Sequence, residues 1–267
     1  MRLRHFLLLS LTVVLCACPC KKGNEDVENE PAELLWETSA LSIIEQIAPD
    51  DSLCYQIDLT LDTLAGDSLL ARNLAAVLRD SVLLKPRCAT VEEAMKAFAD
   101  STTADWKAEI AERYDPESDF NQMLQFSYAV EGFSLKTNRD DILSYQVTKD
   151  YYLGGPHGIY DIHYYNFDKK SGKLVNIRDI VPADKEKEVL KQMEAQLLED
   201  WDAKDVAELQ EKTGILMLND LFLTNNFLLK KDSIEFLFNQ YEIAPYAAGL
   251  ISVTIKTPSN SPSMGRN

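Results

Sequence analysis

The sequence is poor in the side chains that catalysis and metal binding most often use. It contains only three histidines and five cysteines in 267 residues. It has no GxSxG, no HExxH and no cysteine beside a histidine, so it lacks the local patterns that place a nucleophile or a zinc ion. The sequence therefore predicts a protein that is not an enzyme and that holds no cofactor and no metal ion.

Basic residues are also scarce. The chain has 27 lysines and arginines against 43 acidic residues, which gives a net charge of −16 at neutral pH. Such a chain repels phosphate, and it has no cluster of basic residues, so nucleic acid is excluded as a partner. The same charge attracts a cationic protein or peptide. Solubility alone is the other explanation of the charge, and the sequence leaves both open.

Long apolar runs are absent except at the start of the chain. Arg2 and Arg4 precede an apolar stretch over residues 6–15. This stretch is too short for a membrane-spanning helix and is typical of a signal peptide. The sequence LCAC that follows resembles a bacterial lipobox. It predicts residues 1–17 as the signal peptide and Cys18 as the lipidated residue.

The predicted location is the bacterial cell envelope, outside the cytoplasm and at the outer membrane. An ordinary secretory signal cut near Ala17 is the alternative, and it also exports the protein. Residues 18–40 are predicted as a lipid anchor to the membrane followed by an acidic linker, and residues 257–267 as a flexible tail. Loss of residues 1–17 removes two arginines, which leaves 25 basic against 43 acidic residues and a charge of −18.

Two cysteines, Cys54 and Cys88, remain in the body of the chain. An alternating strand begins at Cys54, and helix-spaced apolar residues follow from Leu69. If that helix runs back along the strand, Cys88 arrives near Cys54, and an oxidising envelope permits a disulfide. A disulfide and two unpaired buried thiols are both open.

Hydrophobic periodicity predicts an α+β fold of mostly antiparallel sheets with packed helices, in two adjoining subdomains. Thr90 and Glu93 have the spacing of a helix-capping box. The predicted strands are residues 54–64, 123–135, 141–152, 159–167, 174–177, 227–229, 234–238 and 250–255. Predicted helices begin near residues 69, 90, 185 and 206, the second with a break at residues 101–103.

Three segments carry a family resemblance. They are GGPHG at residues 154–158, a YNFD hairpin followed by IRDIV over residues 165–181, and FLTNNFLLKKDSIEFLFNQYEIAPYAAG at residues 222–249. Together they resemble the extracytoplasmic domain DUF3298, which also occurs in RsiV-type anti-sigma factors. The resemblance implies a DUF3298-like domain at residues 154–256. The preceding residues, 41–153, resemble the companion region DUF4163.

The resemblance implies a binding or sensing module in the envelope. Anti-sigma members of the family bind lysozyme, and other members precede a polysaccharide deacetylase domain. The predicted lipid anchor stands in place of an anti-sigma segment, so transcriptional signalling is not carried over. The expected partner is a basic protein such as lysozyme, or a cell-wall ligand. The alternatives are a cell-wall polysaccharide hydrolase and a purely structural surface protein.

His157 and His163 are the remaining candidates for chemistry. A continuous strand would hold them about 20 Å apart, too far to share a metal ion. Asp161 shares a strand face with His163, but no third ligand is evident. The surrounding residues Gly154, Gly155, Pro156 and Gly158 are therefore predicted to form a structural turn. The predicted binding surface consists of His157, Tyr160, His163 and Tyr165.

Overall fold

The computed structural model describes residues 34–46, 53–115, 117–118 and 120–257. Within these residues the chain forms a six-stranded and a three-stranded sheet, mostly antiparallel, with five α-helices. The predicted α+β fold is therefore confirmed. The predicted signal peptide, Cys18 and the tail beyond Thr257 lie outside the described residues. No helix within this part of the chain is long and apolar enough to span a bilayer.

The six strands of the first sheet follow one another in sequence order. They are β1 (Trp36–Gln46), β2 (Cys54–Leu64), β3 (Phe126–Leu135), β4 (Ile142–Tyr152), β5 (Ile159–Asp168) and β6 (Leu174–Val175). Neighbouring strands are antiparallel except β2 and β3, which run parallel. A parallel pair needs a long crossover connection, and here it contains helices α1 (Leu69–Val77) and α2 (Val91–Arg113).

Strand β2 forms the centre of the first hydrophobic core. At most 1% of the surface is exposed at its alternate residues Tyr55, Ile57, Leu59 and Leu61. The ring of Tyr55 lies 4.8 Å from that of Trp106 in α2 and 5.0 Å from that of Phe126 in β3. Because side chains alternate along a strand, the intervening residues of β2 point to the opposite face of the sheet.

Strand β1 forms one edge of the first sheet. It pairs with β2 along its whole length, from Trp36 opposite Leu64 to Gln46 opposite Cys54. Leu41 and Ile43 pack against the first core, whereas their neighbours Ala40, Ser42 and Ile44 are exposed. Residues 36–40, which the sequence assigned to the acidic linker, are therefore part of a strand. The alternation of apolar and polar residues is weak here because few side chains of β1 reach the core.

Helices α1 and α2 both begin at capping residues. The Ser68 hydroxyl accepts a hydrogen bond from the first turn of α1, which continues into a π-helical turn over Leu78–Val82. The Thr90 hydroxyl accepts a hydrogen bond from the Glu93 N–H at the start of α2. The Glu93 carboxylate accepts from the Ala89 N–H, one residue before the cap. The two predicted helix starts are thus explained by local chemistry.

The predicted break in the second helix is wrong. Helix α2 continues through residues 101–103 to Arg113. The hydroxyls of Ser101 and Thr102 donate to the Phe98 carbonyl oxygen at 3.0 and 2.8 Å, and Thr103 donates to the carbonyl oxygen of Ala99 at 2.7 Å. Bonding back to the preceding turn satisfies these hydroxyls inside the helix, so they do not end it.

Cys54 and Cys88 are both free and partly buried. Cys54 begins strand β2, while Cys88 lies between the π-helical turn and α2 and packs against the first core. The Arg79 guanidinium donates to the Cys88 carbonyl oxygen at 2.8 Å and so fixes the backbone there. Of the two alternatives left open by the sequence, the structure contains the unpaired thiols.

The second sheet contains β7 (Phe227–Leu229), β8 (Ser233–Phe238) and β9 (Ile251–Lys256), all antiparallel. Helices α3 (Ile177–Ile180), α4 (Glu186–Asp200) and α5 (Val206–Thr213) complete this part of the fold. Helix α4 buries Val189, Met193 and Leu197 in a second hydrophobic core, together with the side chains of β7, β8 and β9. The chain thus has two cores, one for each sheet.

Strand β5 belongs to the first sheet although it was predicted as part of the second subdomain. The predicted boundary between residues 153 and 154 lies in the connection from β4 to β5. These strands are paired from Ile142 opposite Asp168 to Tyr151 opposite Ile159. The boundary therefore runs through a continuous sheet, and the second core is built mainly from residues after β6.

Candidate functional site

The connection from β4 to β5 is a tight glycine-containing turn. Gly154 and Gly155 have φ angles of 86° and 100°, which side chains with a Cβ rarely adopt. A Cβ at position 154 would lie 2.5 Å from the carbonyl oxygen of Met123, whereas one at position 155 would meet nothing within 4 Å. The Tyr152 hydroxyl donates to the Gly155 carbonyl oxygen at 2.7 Å. Pro156 follows and stiffens the turn.

His157 joins this turn to the residues that follow β8. Its Nδ1 lies 3.1 Å from the carbonyl oxygen of Gly158, and its Nε2 lies 3.2 Å from the Tyr241 hydroxyl. Because a carbonyl only accepts, Nδ1 carries a proton and donates to it. The imidazole also stacks on Tyr246, with ring centroids 3.8 Å apart and planes 20° apart. The side chain of His157 is therefore held on several sides.

The outer edge of β5 is covered by side-chain amides rather than by a full strand. Strand β6 pairs only with Asn166 and Phe167. Beyond them, the Asn226 Oδ1 accepts from the Tyr164 N–H at 2.8 Å, and the Asn239 Oδ1 accepts from the Ile162 N–H at 2.9 Å.

Both amides also donate to this strand. The Nδ2 atoms of Asn226 and Asn239 lie 2.7 and 3.1 Å from the carbonyl oxygen of Ile162. The Gln240 Oε1 accepts from the Tyr160 N–H at 3.2 Å. An amide side chain offers one donor group and one acceptor, as a peptide group does, so these residues act as a substitute strand. We call Asn226, Asn239 and Gln240 the amide seam.

A buried asparagine on β5 adds a hydrogen bond that runs from the first sheet to the second. The Asn166 side chain, which is 1% exposed, donates to the Phe227 carbonyl oxygen at 2.7 Å. Its Oδ1 accepts from the Ser144 hydroxyl at 2.9 Å. Asn225, next to the seam, accepts from the Ile177 N–H at the start of α3. The two sheets are thus joined by amide groups whose polar atoms are paired.

The helix-facing side of β4 and β5 carries a second polar group of residues. Asp161 pairs with Lys149 across the strands, and His163 pairs with Val147. The Lys149 ammonium donates to the Val82 carbonyl oxygen at 3.0 Å, and the Tyr151 hydroxyl donates to the Asp161 carboxylate at 3.2 Å.

Burial shifts the pKa of these groups. Burial lowers the pKa of Lys149, an effect that Asp161 opposes. The pKa of His163 is also lowered, by burial and then by the charge of Lys149. The pKa of Tyr151 rises to about 12 through burial and the nearby Asp161 carboxylate. Both effects favour the neutral form of His163, and the Asp161 carboxylate opposes them.

Residues 177–257 match the family described as "Protein of unknown function (DUF3298)". These residues are a DUF3298 domain. The match begins after the GGPHG turn and the YNFD hairpin and contains the FLTNN segment. All three residues of the amide seam, Asn226, Asn239 and Gln240, therefore belong to the domain. The predicted DUF4163 likeness of the preceding region stays a prediction.

Two solved structures of DUF3298 family proteins are similar to this chain. The one from Bacteroides fragilis has 18% identity and a TM-score of 0.67, over 84% of this chain and 91% of that chain. The one from Pseudomonas aeruginosa has 16% identity and a TM-score of 0.56, over 85% of this chain and 91% of that chain. At such identities the similarity establishes the fold alone. No curated protein matches the chain.

The structure does not bring the four residues of the predicted binding surface together. His157 contacts the DUF3298 domain through Tyr246 and lies in the turn before β5. Tyr160 is on the opposite face of β5 from His163 and Tyr165, because side chains alternate along a strand. Tyr165 packs against the first core, and burial raises its pKa to about 12. Only Tyr160, 40% exposed, is open to a large partner.

The residues that hold the site were missed at the sequence level. The seam residues Asn226, Asn239 and Gln240 stand directly before or after apolar strands, and the sequence indicated no role for them beyond the family resemblance of residues 222–249. Tyr241 and Tyr246, which contact His157, lay in a segment that had no predicted role. The available signal was the position of amides beside buried strands, where a polar side chain must find a partner.

No group of three or more histidine, cysteine, aspartate or glutamate residues in the described part of the chain has the arrangement of a metal site. Asp161 and His163 do share one face of β5, as the spacing indicates, but the carboxylate accepts a hydrogen bond from Tyr151. The two histidines have different surroundings and do not act as a pair.

Substitution of the two turn glycines tests the close approach at Gly154. We expect Gly155→Ala to lower the free energy of unfolding by about 1–2 kcal/mol, because only its backbone conformation is unfavourable. Gly154→Ala should cost more, about 2–4 kcal/mol, because its Cβ also meets the Met123 backbone. Thermal denaturation of both variants measures the difference. Equal losses would show that the close approach is relieved by backbone movement.

A matched pair of asparagine substitutions tests the amide seam. Asn226→Asp should lower the free energy of unfolding by about 2–4 kcal/mol, because a carboxylate cannot donate to the Ile162 carbonyl oxygen. Asn225→Asp is the control: this exposed side chain only accepts, from the Ile177 N–H. It should change stability by less than about 0.5 kcal/mol. Urea unfolding measures both, and an equal effect of the two changes would contradict a structural role for the seam.

Proposed function

We propose that this protein is a non-enzymatic binding or sensing module of the bacterial cell envelope. A lipid on Cys18 holds it at the membrane, and its ligand is a basic protein, lysozyme being the first candidate, or a component associated with the cell wall. The family description assigns no function to the DUF3298 domain, so the proposal rests on the charge and surfaces of this chain and on its likeness to RsiV-type proteins.

The observation that carries the proposal is the charge on one face of the first sheet. Helices α1 and α2 pack on the side of β2 that carries Tyr55 and Ile57. The other side, from β1 to β4, carries the carboxylates of Asp58, Asp62, Glu131 and Asp150 and has no lysine or arginine at any outward position. We call this side the acidic face. Its field favours the approach of a cationic partner.

Aromatic side chains lie at one border of the acidic face. Tyr160 pairs with Asp150 across the strands, and Tyr164 points to the same side of the sheet. The pKa of Tyr164 is raised, by burial first and then by the charge of Glu235 and by Tyr160. Tyrosine beside charged residues is a common anchor in protein interfaces. Tyr160 is therefore kept from the predicted binding surface, and Tyr164 takes the place of His163 and Tyr165.

The resemblance to RsiV-type anti-sigma factors gives separate support for a lysozyme ligand. Members of that class bind lysozyme outside the cell, and this chain resembles them. Charge complementarity agrees with the same choice, since this chain has a net charge of −16 and lysozymes are commonly basic.

One observation favours a different function, a cell-wall polysaccharide hydrolase. The pKa of Glu242 is raised by burial and, further, by the nearby Asp161 carboxylate. Glycoside hydrolysis requires two carboxyl groups, one as acid and one as base or nucleophile. The Glu242 carboxylate, however, accepts a hydrogen bond from the Asn239 N–H at 2.7 Å, which gives it a role in holding the amide seam.

Binding of lysozyme is the direct test of the proposed function. We expect the full chain, purified in nonionic detergent, to bind lysozyme with a fixed stoichiometry at low ionic strength. Binding should weaken in high salt, because the Debye length falls from about 10 Å at 0.1 M to about 3 Å at 1 M. Isothermal titration calorimetry at two salt concentrations measures both properties.

Three results would contradict this proposal. The first two are no binding at low salt and binding that never saturates. The third is release of sugar fragments from peptidoglycan by the protein alone, lost in both Glu242→Gln and Asp161→Asn. That last result would favour the hydrolase, because each substitution removes one of the two carboxyl groups while keeping the size of the side chain.

The lipid anchor is tested independently of the ligand. Cys18→Ala should release the protein from the membrane fraction, because the chains attached to this cysteine are what holds it there. Cys20→Ala serves as the control and should leave the protein with the membrane. Fractionation followed by mass spectrometry of the N-terminal peptide gives the readout. Membrane association that survives Cys18→Ala would rule out lipidation at that residue.

A further inference from the structure

Strand β1 presents a long edge that no described strand covers. The Ala65 N–H donates to the Leu35 carbonyl oxygen at 2.9 Å, so Leu35 forms a hydrogen-bonded pair with the chain beyond β2. Such pairs alternate in an antiparallel ladder, so the odd-numbered residues of β1 bond to β2. The N–H and C=O groups of the even-numbered residues Thr38, Ala40, Ser42 and Ile44 therefore point to the outer edge.

The side chains next to this edge belong to the acidic face and are small. Thr38 and Ser42 lie opposite Asp62 and Asp58 of β2, with Ala40 between them. Their hydroxyls donate to these carboxylates at 2.5 and 2.6 Å and so fix the position of the charges. No ion pair of the described residues involves Asp58 or Asp62. Asp58 also accepts a hydrogen bond from the Gln56 amide at 2.5 Å, so both carboxylates have polar neighbours but no basic partner within the described residues.

A strand added to β1 would lie within reach of these carboxylates. Two strand spacings, about 9.5 Å, would separate its backbone from that of β2. Alternate side chains of such a strand would point to the acidic face. Lysine and arginine are long enough to cross the small Thr38, Ala40 and Ser42 side chains and meet Asp58 and Asp62.

The charge of β1 argues against a second copy of this chain as the occupant. Antiparallel pairing of two β1 strands centred on Leu41 places Glu37 of each copy opposite Glu45 of the other. Like charges directly opposite each other are unfavourable. Such a dimer would also join two acidic faces into one sheet. Strand β1 lacks proline and lysine, the residues that commonly protect an exposed edge from pairing.

We propose that β1 is a docking edge that binds an extended protein segment with lysine or arginine at alternate positions. The segment adds a seventh strand to the first sheet, with backbone hydrogen bonds to Thr38, Ala40, Ser42 and Ile44. Its basic side chains lie over the acidic face. This inference rests on the proposed function in that the ligand is a basic protein, and it specifies how that protein is held.

The test uses the full-length protein in nonionic detergent and a synthetic peptide of about ten residues in which lysine and threonine alternate. Two control peptides separate the contributions. One carries glutamate in place of lysine, and the other keeps the lysines but has alternate backbone nitrogens methylated, so that it cannot donate to β1. Fluorescence anisotropy measures affinity, and hydrogen exchange of residues 36–46 reports pairing of the edge.

We expect the lysine peptide to bind and to slow hydrogen exchange in β1. The glutamate peptide should not bind, and the methylated peptide should bind at least about tenfold more weakly, because main-chain hydrogen bonds provide much of the affinity when a strand is added. Asp58→Asn with Asp62→Asn should weaken binding of the lysine peptide about three- to tenfold, because asparagine keeps the hydroxyl contacts but loses the charge.

Two variants of the protein complete the design. Ala40→Pro removes an N–H that points away from β2, so the sheet should still form while the peptide binds at least about tenfold more weakly. Glu194→Gln with Glu199→Gln removes the same charge as the aspartate pair from the exposed side of α4 and should leave affinity unchanged.

Equal binding of the methylated and unmethylated lysine peptides would overturn the proposal, because it would show attraction by charge alone. Self-association that protects β1 and excludes the peptide would also overturn it and would assign the edge to a second copy. Lysozyme binding that Ala40→Pro leaves intact would overturn the docking edge while the proposed function stands. Peptide binding without lysozyme binding would keep the edge and remove lysozyme as the ligand.

Discussion

The fold depends on hydrogen bonds between amide side chains and the open edge of strand β5. Strand β6 covers only a short part of that edge, so the backbone groups of Tyr160, Ile162 and Tyr164 would otherwise be left beside the second core without partners. A buried polar group without a partner costs about 1–3 kcal/mol. Asn226 and Asn239 supply the missing donors and acceptors. The DUF3298 domain is thus joined to the first sheet without sharing a strand ladder with it.

The seam also explains why His157 is held as a structural residue. Tyr241 and Tyr246 follow Asn239 and Gln240 closely in the chain, so fixing the seam brings both rings to the turn before β5. Gly154 lets that turn approach the Met123 backbone. The turn, the histidine and the domain are consequently positioned together, and a change in any of them alters the same contact.

Periodicity predicted the elements that bury a regular face and failed where the chain depends on single polar contacts. The predicted bounds of strand β2 agree with the structure to the residue, because every second side chain enters the core. The continuity of α2 through Ser101 was missed because hydroxyl bonding to the preceding turn cannot be read from spacing. The seam was missed for a related reason. Asparagine is common in turns, and the partners of Asn226 and Asn239 on β5 are distant in sequence, so only the folded structure brings them together. Likewise, the predicted binding surface mixed the two faces of β5, since His163 and Tyr160 are close in sequence but point in opposite directions.

The arrangement of the sheet separates the surfaces that maintain the fold from the surface proposed for binding. Helices pack on one side of the first sheet, and the DUF3298 domain attaches at β5, at the other end of the strand order from β1. Asp58 and Asp62 therefore contact hydroxyls on the neighbouring strand but are not needed to fill either core. Four carboxylates on a face without basic residues repel one another, so they do not stabilise the folded state by themselves. Solubility or the proposed recognition of a cationic partner accounts for them, and in the second case the open edge of β1 beside them provides the backbone groups with which such a partner is aligned.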